Sequence, residues 1–376
     1  MKVNVTIFLL AIFTCNLLAE YDYTISNTNF TISQGSVLPQ DETTYLYNYN
    51  RLRYRGDYYR KNYFATAIAD VVNYLGDEYV NSPSFKYVEL FKADTPFKTQ
   101  TSFHSYNNAI VYAKLYRLYG GYEDEYNRVV IGLQNISMGV GRIWTPTNLF
   151  NPRNSYALEP DETFGVAALA YTRHIDDMSS LTVVASQKAD NSFKYAGRYT
   201  ASLNISDIAI NLIHSNETDM AGFEIEGNLA DTGVEVRTEG AYIKTDEFHF
   251  FQAIVGADYG FVNGVNVIFE ALYSSKTFSI MEIMKNYDSE IAPNLLYSHF
   301  YGAGSVSYSF NLFLDASLLY IESFNEHNSR FISPTLTYTL NDYNTFSIGA
   351  MLQQGSNESE FGMLSNSYYF KYSLSF

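Results

Sequence analysis

The stretch FEIEGNLADTGVEVRTEGAY, residues 223–242, decides how this chain reads. Phe223, Ile225, Gly227 and Leu229 alternate with Glu224, Glu226 and Asn228. After Asp231–Gly233 the alternation resumes, with Val234, Val236, Thr238, Gly240 and Tyr242 set against Glu235, Arg237, Glu239 and Ala241. A period of two is a strand whose two faces meet different solvents. The same pattern returns in Tyr195–Leu203, where Tyr195, Gly197, Tyr199, Ala201 and Leu203 share one face. Segments of about ten residues at strand tilt are long enough to cross a bilayer core. Unpaired backbone groups are too costly in lipid, so such a sheet has to close on itself. The pattern therefore predicts an all-β, transmembrane antiparallel β-barrel.

Composition agrees with that reading. Aromatic residues make up 17% of the 376 positions, nearly all Tyr and Phe, and charged residues only 17%, an unusual balance for a water-soluble protein. The chain opens with basic Met1–Lys2, an apolar run over Val3–Phe13 and Leu17-Leu18-Ala19 before Glu20. That order predicts a secretory signal peptide over residues 1–19 and a single barrel domain over 20–376. Polar Thr14, Cys15 and Asn16 cut the apolar run short of a membrane anchor. The only cysteine, Cys15, falls inside the signal, so the exported chain would hold no disulfide. Formal net charge is −16, which argues against nucleic acid and polyanionic partners.

The last ten residues, SYYFKYSLSF, put Tyr368, Phe370, Tyr372, Leu374 and Phe376 on one face. A final strand ending on Phe resembles the terminal assembly signal of bacterial outer-membrane proteins. It predicts engagement of the outer-membrane insertion machinery through Phe376. Counting back from that residue, strand segments run from 365–376 through 342–353, 232–244, 220–230, 128–140 and 45–56 to 22–33. The connections alternate between tight turns, such as Asn341–Asp342 and Val262–Gly264, and long loops over 354–364, 276–295, 141–161 and 76–108. The count is 16–18 strands, with eighteen preferred, which leaves an aqueous lumen.

An arginine or lysine facing lipid at mid-bilayer costs roughly 2–4 kcal/mol, so strand charges should point inward. Arg51, Arg53 and Arg55 then form an inward ladder on the second strand. Arg198 faces inward on the eighth, and Glu224, Glu226, Glu235, Arg237 and Glu239 on the tenth and eleventh. The second strand lies across an eighteen-stranded barrel from the eleventh. Basic and acidic walls would then set up a transverse field. The alternative is that each charge pairs locally.

Other chemistry is thin. The six histidines stand singly without metal-ligand spacing, and no G-x-S-x-G elbow occurs. No catalytic residue, metal or cofactor is expected.

The stretch RVVIGLQNISMGVGRIWTPTNLFNP, residues 128–152, followed by LEPDETFGVAALAYTR, resembles a pattern of Gram-negative porin-like outer-membrane β-barrel proteins. There a G-R-Q-x-I strand ends in G-x-G-R, and an aromatic, a proline and D-x-F/L-N-P follow. NYNRLRYRGDY and residues 64–77 look like its opening strands, and the resemblance covers roughly residues 45–175. Two positions depart from it, Leu133 in place of Arg and Asn148 in place of Asp. Pro146 and Pro152 stiffen the loop, Asn148 and Asn151 can turn its backbone, and Trp144 can anchor it. In general diffusion porins the loop after the fifth strand enters the lumen. By that analogy Arg142, Trp144, Asn148 and Asn151 are candidates for a pore constriction, and packing on the outer rim is the alternative.

The sequence thus predicts a bacterial outer-membrane channel for passive diffusion of small polar solutes or ions. Its partners would be outer-membrane lipids, the insertion machinery and the solute, and a homo-oligomer is compatible. A surface-binding or structural barrel with a closed lumen is the contending class, and a barrel hydrolase is a weaker one.

Overall fold

The computed structural model describes residues 20–38, 42–325 and 327–376; the signal-peptide segment 1–19 lies outside them. The chain forms β1 (Glu20–Gly35), β2 (Thr44–Arg60), β3 (Tyr63–Leu75), β4 (Gln100–Tyr106), β5 (Ala109–Glu123) and β6 (Asn127–Gln134). It continues with β7 (Val166–Asp176), β8 (Ser179–Gln187), β9 (Phe193–Ser202), β10 (Ser206–His214), β11 (Thr218–Asn228), β12 (Glu235–Thr245) and β13 (His249–Gly260). β14 (Val265–Ser274), β15 (Phe300–Asn311), β16 (Leu314–Phe324), β17 (Ser329–Asn341), β18 (Asn344–Gln354) and β19 (Ser367–Ser375) complete the sheet.

All pairings are antiparallel between neighbours, and β1 pairs with both β2 and β19, which closes the wall. β3 pairs directly with β5. β4 pairs only with β5 among the described residues, along the half that β6 leaves free. The closed barrel therefore has eighteen strands, with β4 as an added segment. Each of the strand segments expected above overlaps a wall strand. No helix among the described residues is long and apolar enough to cross a membrane.

The first and last wall strands meet at one rim, where Ile25 and Phe376 exchange backbone hydrogen bonds of 3.1 and 2.9 Å. At this terminal rim the strands turn tightly, as at Asn311 and Asn341, whose side-chain oxygens accept from backbone N–H groups two and three residues on. The long loops all leave the opposite rim. Outward positions are apolar and exposed, such as Ile210, Leu212, Phe223, Ile225, Val255 and Phe269. Their inward neighbours are polar and buried, such as Asn211, Glu224, Gln252 and Glu270.

Three departures from the sequence reading matter. The strand expected over 128–140 stops at Gln134, because the backbone of 139–144 is captured by side chains of the opposite wall. The loop over 76–108 is partly structured. It contains α1 (Asp77–Val80), α2 (Pro83–Val88) and β4. Ser82 caps α2 by accepting from Phe85 N, and Pro83 occupies its first turn, where no N–H is needed. The loop over 276–295 holds α3 (Ile280–Lys285), opened by a capping box between Ser279 and Glu282.

Apolar clusters fill the loop-rim half of the interior. Tyr45 and Tyr47 of β2 cluster with Tyr79 of α1 and Phe85 of α2, with Tyr47 stacked on Tyr79 at 3.7 Å. Phe278, Ile291 and Leu295 of the 275–299 loop pack on Ile136, Leu149 and Phe150. Phe361, from the loop before β19, packs on Phe331 and Tyr156.

Beside Phe361, Glu360 accepts a 2.8 Å hydrogen bond from the Tyr301 hydroxyl. Burial pushes this carboxyl up to about 7, outweighing the Tyr301 hydrogen bond that favours its charged form. A raised carboxyl pKa stabilises the folded loop fully below the ordinary value near 4.5, and that contribution is lost as pH rises through about 7. Hydrogen exchange over residues 355–366 should therefore be faster, after correction for intrinsic rates, at pH 8 than at pH 5.5. In Glu360→Gln the difference should vanish.

Candidate functional site: a loop folded into the lumen

The connection between β6 and β7, residues 135–165, turns into the barrel instead of standing above it. Ile136, Met138, Ile143, Trp144, Thr147, Asn148, Leu149 and Asn151 are all buried. Three inward glutamates of the far wall, Glu224 on β11, Glu239 on β12 and Glu270 on β14, hold its backbone.

Gly139 N donates to Glu224 Oε1 at 2.8 Å. Val140 N and Gly141 N donate to Glu239 Oε2 at 2.9 and 3.2 Å, and Thr147 N and Oγ1 donate to Glu239 Oε1 at 2.6 and 2.7 Å. Arg142 N, Ile143 N and Trp144 N donate to the Glu270 carboxylate at 2.9, 3.2 and 2.8 Å. A carboxylate accepting several backbone N–H groups is a strong acceptor, and here it also satisfies amides that the lumen would otherwise leave unpaired.

The glycines of the G-x-G-R run follow from this close approach. Gly139 has φ +93°, and a Cβ there would lie 2.6 Å from Glu239 Oε2. At Gly141 a Cβ would meet Trp144 O at 1.7 Å. Only glycine fits either position.

Arg142 ends this arm with its side chain 41% exposed. Nη2 reaches Glu226 Oε1 at 3.0 Å and Glu235 Oε1 at 2.7 Å, and Nε lies 3.4 Å from Asp258 Oδ2. Arg237 backs the same three carboxylates from the wall, with its own side chain fully buried. Arg198 pairs with Glu224. The Arg142 end of the loop therefore carries two guanidinium groups and three carboxylates, a net of one negative charge.

Trp144, Asn148 and Asn151 sit elsewhere, inside the loop's own packing. Trp144 lies among Ile254, Leu272 and Tyr301, with its Nε1 3.4 Å from Tyr156 Oη. Asn148 Oδ1 accepts from Asn151 N at 3.1 Å, and its Nδ2 donates to Asn151 O at 2.7 Å. Asn151 Oδ1 accepts from Ile136 N at 2.6 Å, and its Nδ2 donates to Phe164 O. These contacts tie the start of the loop to its end.

The returning arm meets the basic ladder. Arg51 forms a bidentate pair with Glu159 at 2.8 and 3.0 Å. Arg53 grips Glu162 through Nη1 and Nη2 at 2.8 and 2.9 Å, and Asp70 of β3 through Nε and Nη2, both at 2.7 Å. Burial works to raise the Glu162 carboxyl, but the Arg53 hydrogen bonds and the Arg51 charge outweigh it and hold it below the usual range. Lys371 of β19 lies 3.5 Å from Glu159. Arg55 pairs with Asp57, two residues on.

The two charged walls therefore do not face each other across water. The loop lies between them, giving backbone N–H groups to one and carboxylates to the other. The transverse field expected from the ladder alone is replaced by local pairing. Sequence reasoning missed Asp70, Glu159, Glu162, Asp258 and Glu270. The run LEPDET carried a signal, being three acidic residues around a proline in a chain poor in charge. Among the described residues no group of three or more His, Cys, Asp or Glu is arranged to hold a metal.

No protein-family model matches the sequence, and no curated protein matches it significantly. Solved structures do match the fold. The Acinetobacter baumannii protein OccAB1 is similar over 95% of this chain and 96% of its own, with a TM-score of 0.61 and 9% identity. OpdK of Pseudomonas aeruginosa, an outer membrane protein, matches over 95% of this chain and 98% of its own, with a TM-score of 0.60 and 8% identity. A second OpdK structure, solved with vanillate, covers 96% of this chain and 100% of its own, with a TM-score of 0.58 and 8% identity. The shared architecture is a closed antiparallel barrel of eighteen strands. At such low identity the likeness speaks to fold alone.

Proposed function

We propose that the chain is a bacterial outer-membrane channel through which small polar solutes or ions diffuse, and that the 135–165 loop is its constriction. The observation that carries this reading is the placement of Arg142. Wall glutamates draw its backbone into the lumen, and its guanidinium remains half-exposed among Glu226, Glu235 and Asp258. The other candidate positions support that placement. Asn148 and Asn151 close the loop on itself, Trp144 pins it to the β13–β15 wall, and Glu224 and Glu239 bind its amides. The G-x-G-R…N-P run and the C-terminal Phe376 strand support an outer-membrane location and assembly through the insertion machinery. The signal-like sequence of residues 1–19 would supply export.

Solute chemistry follows from which charges remain free. A neighbour of like fold was solved with vanillate. In this chain Arg51 and Arg53 are already paired with Glu159, Glu162 and Asp70, so their forks are not free for a second anion. The half-exposed groups near Arg142 carry a net negative charge, which favours cations and neutral polar solutes over anions. Replacing Arg142 with alanine removes one positive charge there. In bilayers under a salt gradient, the reversal potential of Arg142→Ala should move toward the cation side of the parent value. An unchanged potential would remove Arg142 from the conduction path.

A second reading has its own observation. The 275–299 loop packs Ile291 and Leu295 on Leu149, and Asn294 donates to Pro146 O at 3.1 Å. This packing favours a barrel shut at the loop rim until a ligand displaces it. Such a protein would bind without conducting.

A further inference from the structure

The outward face of β1–β3 interrupts the apolar belt. On β2, Arg51 and Arg53 point inward, so Leu46, Asn48, Asn50, Leu52 and Tyr54 point outward. Register places Asn27 opposite Leu52, Asn29 opposite Asn50 and Thr31 opposite Asn48, and Asn50 opposite Asn73 of β3. Five asparagines thus share one outward patch. Exposed Ile25, Leu52, Tyr54 and Val71 border it toward the terminal rim, and exposed Leu46 and Leu75 toward the loop rim. The patch lies inside the band that crosses the membrane, if the chain is the membrane barrel proposed above. Outward positions across the barrel, such as Ile208, Ile210, Leu212, Phe223 and Ile225, are apolar throughout.

The amides pair reciprocally. Asn27 and Asn50 exchange hydrogen bonds of 3.2 and 3.1 Å, and Asn29 and Asn48 exchange bonds of 3.1 and 2.9 Å. A primary amide offers two N–H donors and two lone pairs. Asn27 Nδ2 also donates to Arg51 O, and Asn48 Nδ2 to Phe30 O and Thr31 Oγ1, but among the described residues Asn29 Nδ2 and Asn50 Nδ2 each have one acceptor, and lipid chains cannot supply a second. Another protein surface can.

Two neighbouring features lie on the same face. A concavity of about 570 Å³ opens beside the ladder, lined by Ile25, Leu52, Tyr54, Val71, Ala113 and Leu115 among others. Beyond it, β4 has one edge on β5 and no strand on the other among the described residues. An unpaired strand edge is costly in lipid and is a template for pairing.

We propose that the outward face of β1–β5 is the docking surface for a second copy of this chain in the plane of the membrane. The ladder argues for a copy rather than a different protein. Amides are self-complementary, so the patch matches its own image across a two-fold axis, where each residue meets the residues that meet it. Polar groups between transmembrane helices are used in this way, since the apolar effect gives no drive to associate in lipid. Side chains of the partner fill the concavity beside the ladder.

Cysteine cross-linking in native membranes tests this. With Cys15 replaced by serine, Asn50→Cys supplies one outward thiol at the centre of the ladder, and Ile210→Cys supplies one across the barrel. Oxidation should give an adduct of twice the chain mass from Asn50→Cys and none from Ile210→Cys. The triple variant Asn29→Leu, Asn50→Leu, Asn73→Leu should run as a monomer in native mass measurements while keeping heat-modifiable migration and its conductance. A parent chain that is monomeric while folded would overturn the proposal. So would equal cross-linking at 210, an adduct of any other mass, or a triple variant that stays dimeric. Conductance is read separately, so loss of the dimer leaves the channel reading standing and loss of the channel leaves the dimer measurable.

Discussion

The double variant Glu239→Ala, Glu270→Ala should conduct several-fold more than the parent chain, with larger open-state noise. Glu239 accepts from three backbone N–H groups and one hydroxyl of the loop, and Glu270 accepts from three more N–H groups. A buried donor left without its acceptor costs roughly 1–3 kcal/mol. Six such donors abandoned together exceed what the apolar contacts of Ile143 and Trp144 return, so the arm over 139–147 should leave the wall and sample the lumen or its mouth. The β-barrel itself should persist, because these glutamates make no strand-to-strand backbone bond. Single-channel recording reads the conductance, and heat-modifiable migration confirms the fold. Glu239→Gln alone should give a smaller change, since its carbonyl oxygen keeps one acceptor site. An unchanged conductance in the double variant would show that the loop does not limit the path.

Replacing Arg53 by alanine should have the largest effect on stability. Arg53 is the hinge between wall and returning arm, bidentate to Asp70 and to Glu162 at once, with its guanidinium 4.0 Å from the centre of the Tyr116 ring. Its loss strands the Asp70 carboxylate, which is almost wholly buried. Breaking a buried pair by removing one partner costs about 3–5 kcal/mol, mostly as the uncompensated charge left behind. The melting temperature in detergent should fall well below that of the parent. Lysine at this position should rescue only part, because the three donors of one ammonium cannot replace four hydrogen bonds in two bidentate pairs. Arg53→Met combined with Asp70→Leu should recover more than Arg53→Lys does, since it removes the stranded charge. A parent-like melting temperature for Arg53→Ala would contradict the geometry of the returning arm.

The strands were legible because a two-sided wall writes its solvent into every second residue. Leu52 and Tyr54 between Arg51, Arg53 and Arg55, or Phe223 and Ile225 around Glu224, need no partner to be understood. The loop was legible only in part. Its prolines, its tryptophan and its turn asparagines announced a structured segment, and Arg142 stood out as its one cation near the glycines. What holds it was not visible. The acceptor for Arg142 N is Glu270, 128 positions away, and the mate of Arg53 is Glu162, 109 positions away. Pairings at that range depend on barrel closure and strand register, which local pattern does not carry. The same limit explains residues 135–140. Alternation in NISMGV extends the β6 pattern, but Glu224 and Glu239 outbid the neighbouring strand for the amides of Gly139 and Val140. β4 escaped notice for a different reason. Gln100–Tyr106 is polar and aromatic without clear alternation, and it is ordered by the free edge of β5.

The central claim is that residues 135–165 narrow a water-filled lumen. Single-channel conductance of the refolded chain, compared with a chain lacking Pro146–Asn151, tests it most directly. The deletion removes the Thr147 contacts to Glu239 and the Asn148–Asn151 turn that closes the loop. The account predicts discrete ohmic steps for the parent and larger ones for the deletion. A sealed parent barrel, or equal conductance from both chains, would contradict it.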